Sequence, residues 1–205
     1  MFIELLGLSG AKIQSNDATI LLAPPSEQSE LKASRFKADV VVLGNPKDEV
    51  NIAPNQENEA IFTIASPGEY ESRGVFFYCL ANPAQGETVS LLTSATIEGV
   101  VVTHLGGLNR ALTATELELF DGTDVLILPA GGNGVLGPKE ASDIINQLEP
   151  RVVIPMHTAR PGLKTKYRDV ADFLKEIGSK AAPQEKIKIT KKDLPQEDMQ
   201  IINLL

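Results

Sequence analysis

Apolar residues in this chain come in short runs broken by Gly, Pro, Asn and Asp, never in long blocks. In the first half these runs fall at residues 2–6, 11–14, 18–23, 39–43, 60–65, 74–80 and 88–93. Runs of this length between turn residues predict strands. Gln14-Ser15-Asn16-Asp17, between two of them, predicts an antiparallel hairpin, so the half reads as a meander.

The rhythm changes after a strand predicted at 100–103. Thr113-Ala114-Thr115-Glu116 is a capping box that opens a short helix to about Phe120. A strand over 124–128 leads through Ala130-Gly131-Gly132-Asn133-Gly134 to Pro138, well placed in the first turn of a second helix. Ala141, Ile144, Ile145 and Leu148 carry the spacing of a stripe packed on a sheet. A strand over 151–155 precedes a third helix predicted around 167–177, with Val170, Phe173, Leu174 and Ile177 at the same spacing and Gly178 as its stop. Two β-like runs, 186–190 and 199–204, complete the chain. Strands alternating with helices imply parallel βαβ packing. A meander joined to such a half predicts two stacked mixed sheets with helices outside.

Length and composition narrow the function classes. At 205 residues and 42% hydrophobic content, with no linker-like stretch, the chain is expected to form a single domain over 1–205. Nineteen Lys and Arg against 27 Asp and Glu give a net charge of -8, which repels phosphate backbones and anionic membrane surfaces. Nucleic acid and membrane are therefore not expected partners. No leader pattern or bilayer-length apolar stretch is evident, and the single Cys79 reads as a small core residue, so the expected setting is a reducing cytoplasm. The absence of Trp argues against a stacking platform for bases or sugars.

Histidine is the scarce chemistry. The only two, His104 and His157, each follow an apolar run, where strand ends of open α/β sheets place ligands. A catalytic zinc site takes about three protein ligands, and the third is not obvious.

The order of elements and several short motifs resemble the compact, metal-dependent hydrolase-like branch of the metallo-β-lactamase superfamily. The motifs are Pro67-Gly68-Glu69-Tyr70 with Arg73-Gly74, His104-Leu105-Gly106-Gly107-Leu108, Pro129-Ala130-Gly131-Gly132, Lys139-Glu140-Ala141 and Pro155-Met156-His157. The resemblance implies a four-layer αββα sandwich with one or two zinc ions held by an H-x-H-x-D-H loop. Here that loop reads Asn45-Pro46-Lys47-Asp48-Glu49-Val50, so its ligand slots hold Asn45, Lys47, Glu49 and Val50. An ammonium in a ligand slot repels a divalent cation. Other slots read Gly7-Leu8-Ser9, Ala23 and Gly107; His157 matches the last metal ligand and His104 a residue near the site.

These departures imply that no metal cofactor is bound, the alternative being one zinc or other divalent ion held by His157, His104 and Glu69 or Glu49. On one filled slot, His157 reads as a strand-end histidine hydrogen-bonded to neighbouring loops rather than a metal or substrate contact. His104 reads as ordering the Gly106-Gly107 turn. Asp48, Glu49 and Glu69 read as solvated carboxylates or partners of Lys47, and Pro-Gly-Glu-Tyr as turn geometry. The Gly131–Gly134 loop lacks the spacing of a phosphate cradle and reads as an ordinary connection.

Three functions follow from this. The first is a non-catalytic binding or assembly module whose former cleft takes a small polar or anionic ligand at Asn45, Lys47, Glu49, Glu69, Tyr70, His104, Gly106, Gly107 and His157, with Lys47 as its cation. The second is a hydrolase of a phosphodiester, ester or lactone with a rebuilt mononuclear site. The third is a homo-oligomer subunit joined by a sheet edge or outer helices.

Overall fold

The computed structural model describes residues 1–31, 35–57, 59–83 and 89–205. The first half carries β1 (Phe2–Leu6), β2 (Gly10–Gln14), β3 (Thr19–Leu22), β4 (Phe36–Ala38), β5 (Val40–Val42), β6 (Ile52–Pro54), β7 (Phe62–Ile64), β8 (Gly68–Ser72) and β9 (Val75–Pro83). The second carries β10 (Val89–Ile97), β11 (Val100–His104), α1 (Ala114–Leu119), β12 (Val125–Pro129), α2 (Pro138–Leu148), β13 (Val152–Met156) and α3 (Val170–Glu176). The short strands β14 (Pro183–Gln184), β15 (Ile187–Lys188), β16 (Gln200–Ile201) and β17 (Asn203–Leu204) close the chain.

Two mixed sheets face each other. The first runs β15-β1-β2-β3-β5-β7 and the second β16-β13-β12-β11-β10-β9-β8. Their inner faces supply alternate residues to one core: Ile3, Ile13, Ile20 and Val42 from the first, and Phe77, Leu91, Val102, Ile127 and Ile154 from the second. The second sheet's outer face packs Leu92, Leu126, Leu128 and Val153 against the helices. Over the first sheet, the described outer layer is the parallel β4–β6 ladder, with Phe36 and Ile52 against Leu21 and Val41. This is the α/β sandwich that the pattern predicts.

Local signals account for most elements. Thr113 accepts from the Glu116 amide while the Glu116 carboxylate accepts from the Thr113 N–H, closing the expected capping box of α1. Pro138 opens α2, and Ala141, Ile144, Ile145 and Leu148 are all buried. Cys79 lies in the core, where burial pushes its thiol up to about 11 and makes it a poor nucleophile.

Several boundaries differ from expectation. Helix α3 begins at Val170 rather than at 167, because Asp169 caps it by accepting from the Ala171 N–H. Tyr167 and Arg168 are diverted beforehand: the Arg168 N–H donates to the Gly131 carbonyl and its own carbonyl accepts from Ala159. The run expected at 88–93 continues to Ile97 as β10, while Thr88 lies outside the described residues. The run at 199–204 is split between two ladders, β16 beside β13 and β17 beside β14. Strands β4, β6, β8 and β14 fall outside the predicted runs. No helix among the described residues is long and apolar enough to cross a membrane.

Candidate functional site

Strands β11, β12 and β13 run parallel and end on one edge of the second sheet, with His104 opposite Ile127 and Pro129 opposite Met156. Both imidazoles therefore reach the same edge, one at the last residue of β11 and one just past β13. The two rings nevertheless sit in different chemical states.

His104 is fully bonded. Its Nδ1 accepts from the Gly106 N–H at 3.2 Å, which leaves Nε2 as the protonated nitrogen, donating to the Ser9 carbonyl at 2.7 Å. It orders the Gly106 turn as expected and also fixes the Leu8-Ser9 turn of the opposite sheet. Burial holds its pKa down at about 4, so it is neutral at pH 7.

His157 is the reverse. Both ring nitrogens are buried without a hydrogen-bond partner among the described residues. Its backbone N–H donates to the Leu8 carbonyl at 2.9 Å, so the chain is tied to a neighbouring loop while the ring is not. The expectation of a hydrogen-bonded ring is thus corrected. The backbone takes a left-handed φ of 53°, uncommon for a residue with a Cβ. Burial, aided by the nearby His104, lowers the pKa to about 4. Tyr167 covers it edge-on, with ring centroids 5.8 Å apart. Sequence reasoning missed Tyr167: nothing in a tyrosine ten positions downstream signals that its loop folds back.

The glycine loop has a steric reason. A Cβ at Gly131 would lie 1.9 Å from the His157 carbonyl oxygen, so only glycine lets β12's loop pass this close. The Glu30 carboxylate ties the rim of both sheets together, accepting from the Lys164 and Thr165 N–H groups and the Thr165 hydroxyl.

The loop after β5 is folded on itself. Asp48 accepts from the Asn45 N–H and Asn45 accepts from the Lys47 N–H, both at 2.9 Å. Lys47 and Glu49 are exposed, and Lys47 has no ion-pair partner among the described residues, so the expected bridge to Asp48 or Glu49 is not formed. Burial raises the Asp48 pKa. The loop still belongs to this rim: the Gly44 carbonyl accepts from the Leu91 N–H, and Leu91 also borders Gly106. Gly107 is half-buried in the same turn.

Glu69 and Tyr70 lie elsewhere. Gly68 pairs with Cys79, Cys79 with Thr93 and Thr93 with His104, which puts β8 three strands away, about 14 Å at the usual strand spacing. Glu69 is exposed, and the Tyr70 hydroxyl bonds Ser66 at the preceding turn, as the turn reading of Pro-Gly-Glu-Tyr expected. The set His157, His104 and Glu69 is therefore not assembled. Among the described residues no three His, Cys, Asp or Glu side chains converge to hold a metal. The donors fit one ligand of a catalytic ion, the free His157 ring, not the three such a centre takes.

The profile of the Beta-lactamase superfamily domain matches residues 3–157. A UPF0173 metal-dependent hydrolase of Thermococcus kodakarensis is 34% identical over 185 residues, covering 87% of this chain and 69% of that protein. Another, of Thermococcus onnurineus, is 36% identical over 88 residues, covering 42% of this chain; the matched stretch spans only 38% of the relative's length. A Thermotoga maritima crystal structure, of a candidate Zn-dependent hydrolase of the metallo-beta-lactamase superfamily, superposes with a TM-score of 0.80 at 26% identity, covering 99% of this chain and 98% of that one. These relatives overturn the expectation of no cofactor: their names point to a divalent metal.

Proposed function

We propose, from the premise that this chain belongs to the metallo-β-lactamase superfamily, that it is a hydrolase acting on a phosphodiester, ester or lactone at a site built around His157. One observation carries the reading: a half-buried histidine at the strand end where this sheet gathers its loops, with both ring nitrogens shielded from solvent and unbonded among the described residues. An unpartnered buried polar atom costs about 1–3 kcal/mol. Such a group calls for an explanation, and a bound ligand that completes its bonds is one.

At pH 7 the neutral ring offers one N–H donor and one acceptor nitrogen. Those groups can orient a water or a substrate oxygen, and the acceptor can hold a proton. Tyr167 excludes solvent from one side, and the Leu8 carbonyl fixes the His157 backbone. A divalent ion, were one held here, would supply an activated water. Among the described residues His157 would hold it, through the unprotonated nitrogen of its ring.

The test is hydrolysis of representative phosphodiester, ester and lactone substrates with and without zinc or manganese, beside calorimetric titration of each ion. Metal-stimulated turnover that His157→Ala abolishes while folding is kept supports the reading. No turnover on any substrate, or turnover unchanged by His157→Ala, overturns it. That no three donors converge among the described residues favours a second reading, a binding module for a small anion. Phosphate binding lost in His157→Ala, without turnover, would select that one.

A further inference from the structure

The outer face of the second sheet is only half covered. Helices pack over β11–β13 and reach Leu92 and Leu80. Beyond them the same face carries two rows, Glu69 beside Tyr78 and Ser94, and Glu71 beside Phe76 and Thr96. These residues line a recess of about 370 Å³. Phe76 is 58% exposed in the middle of it. Neither glutamate has a basic partner within ion-pair distance among the described residues.

Strand β8 is also an outer strand of this sheet, the other being the two-residue β16. Among the described residues Gly68–Ser72 make no backbone hydrogen bonds beyond those to β9. A free edge invites another strand unless something repels it. A second copy of this chain is repelled: pairing β8 with itself brings Glu69 and Glu71 against like charges, in a protein of net charge -8. A strand carrying the opposite charge meets no such barrier.

We propose that the β8 edge is a docking site for an extended, basic segment of a partner protein. Such a segment adds as the next strand, its backbone pairing with the outward N–H and C=O groups of β8. Because side chains alternate, every second residue of the guest lies on the Glu69 and Glu71 face, where lysine or arginine meets the carboxylates and the ring of Phe76. Exposed ion pairs contribute little each, so the ladder holds the guest and the charges select it.

The experiment uses the full chain and a fluorescent short peptide alternating lysine with valine, followed by anisotropy at low salt. Saturable binding is expected, weakened about tenfold or more by the double variant Glu69→Lys, Glu71→Lys, whose melting curve stays unchanged because both sites are exposed. The same variant should bind a glutamate–valine peptide that the wild type rejects, and a proline-interrupted lysine peptide should not bind. No binding by the wild type, binding indifferent to the charge reversal, or equal binding of the proline-interrupted peptide overturns the proposal. So does a dimer in sedimentation that the charge reversal or Phe76→Ser dissolves, which would assign the edge to self-pairing.

Discussion

Acidification from pH 7 to pH 5 should cost the folded state about 4 kcal/mol, and the two histidines set that figure. Burial holds each folded pKa near 4, against about 6.5 when unfolded. Between those values the unfolded chain binds protons that the folded chain excludes, so stability is full above pH 6.5 and falls as pH drops towards 4. At pH 5 each imidazole lies roughly 1.5 units below its unfolded pKa, which at about 1.4 kcal/mol per unit is about 2 kcal/mol apiece. The carboxylates with lowered pKa values, Glu30, Glu98 and Glu116, act only below about 4.5, whereas Asp48, raised by burial, acts with the opposite sign as pH falls, so the His157 variant is what separates the imidazole contribution. The assay is urea denaturation at several pH values with a chelator present. His157→Gln should remove about half of the slope. A stability flat from pH 7 to 5, or a slope unchanged in that variant, would refute the claim that these rings are buried in neutral form.

Gly131→Ala should cost more than about 3 kcal/mol or abolish folding, since its Cβ collides with the His157 carbonyl; wild-type denaturation midpoints would contradict the close approach. Phe173→Ala, at the one fully buried position of α3, should cost about 3–5 kcal/mol by the same measurement. Thr113→Ala, which opens the capping box of α1, should cost about 1 kcal/mol, and no loss would mean the cap adds nothing. Restoring ligands with Asn45→His, Lys47→His, Glu49→Asp, Val50→His and Gly107→Asp should raise zinc affinity measured by calorimetry; affinity equal to the wild type would place the β5 loop away from His157.

Elements specified by local pattern were legible in the sequence; those specified by long-range contact were not. The stripe of α2 and the box of α1 need only residues three or four apart, and both form as read. The start of α3 depends on Arg168 bonding to Gly131, a contact across 37 positions with no local trace. Strand β8 was hidden because Pro67-Gly68 reads as a turn, and the Tyr70 hydroxyl does close that turn on Ser66 before the strand runs on beside β9. Glu69 looked like a partner for His157 because sequence order cannot show register. Five strand pairings separate β8 from β13, and three separate it from His104 on β11.

The site was half legible for a related reason. The sequence marks where strands end, so it located both imidazoles, but it cannot say which ring finds partners. His104 and the His157 backbone both clamp the Leu8-Ser9 turn, and the Asp48 carboxylate closes the Asn45 turn. Two loops that the resemblance reads as ligand slots are therefore held here by hydrogen bonds of their own. Zinc should leave the melting temperature nearly unchanged where it does not reach His157, and raise it with concentration where it does, because binding to the folded state alone stabilises by mass action. A zinc-dependent rise that persists in His157→Ala would move the ion to other donors and remove the reason for centring the chemistry on this ring.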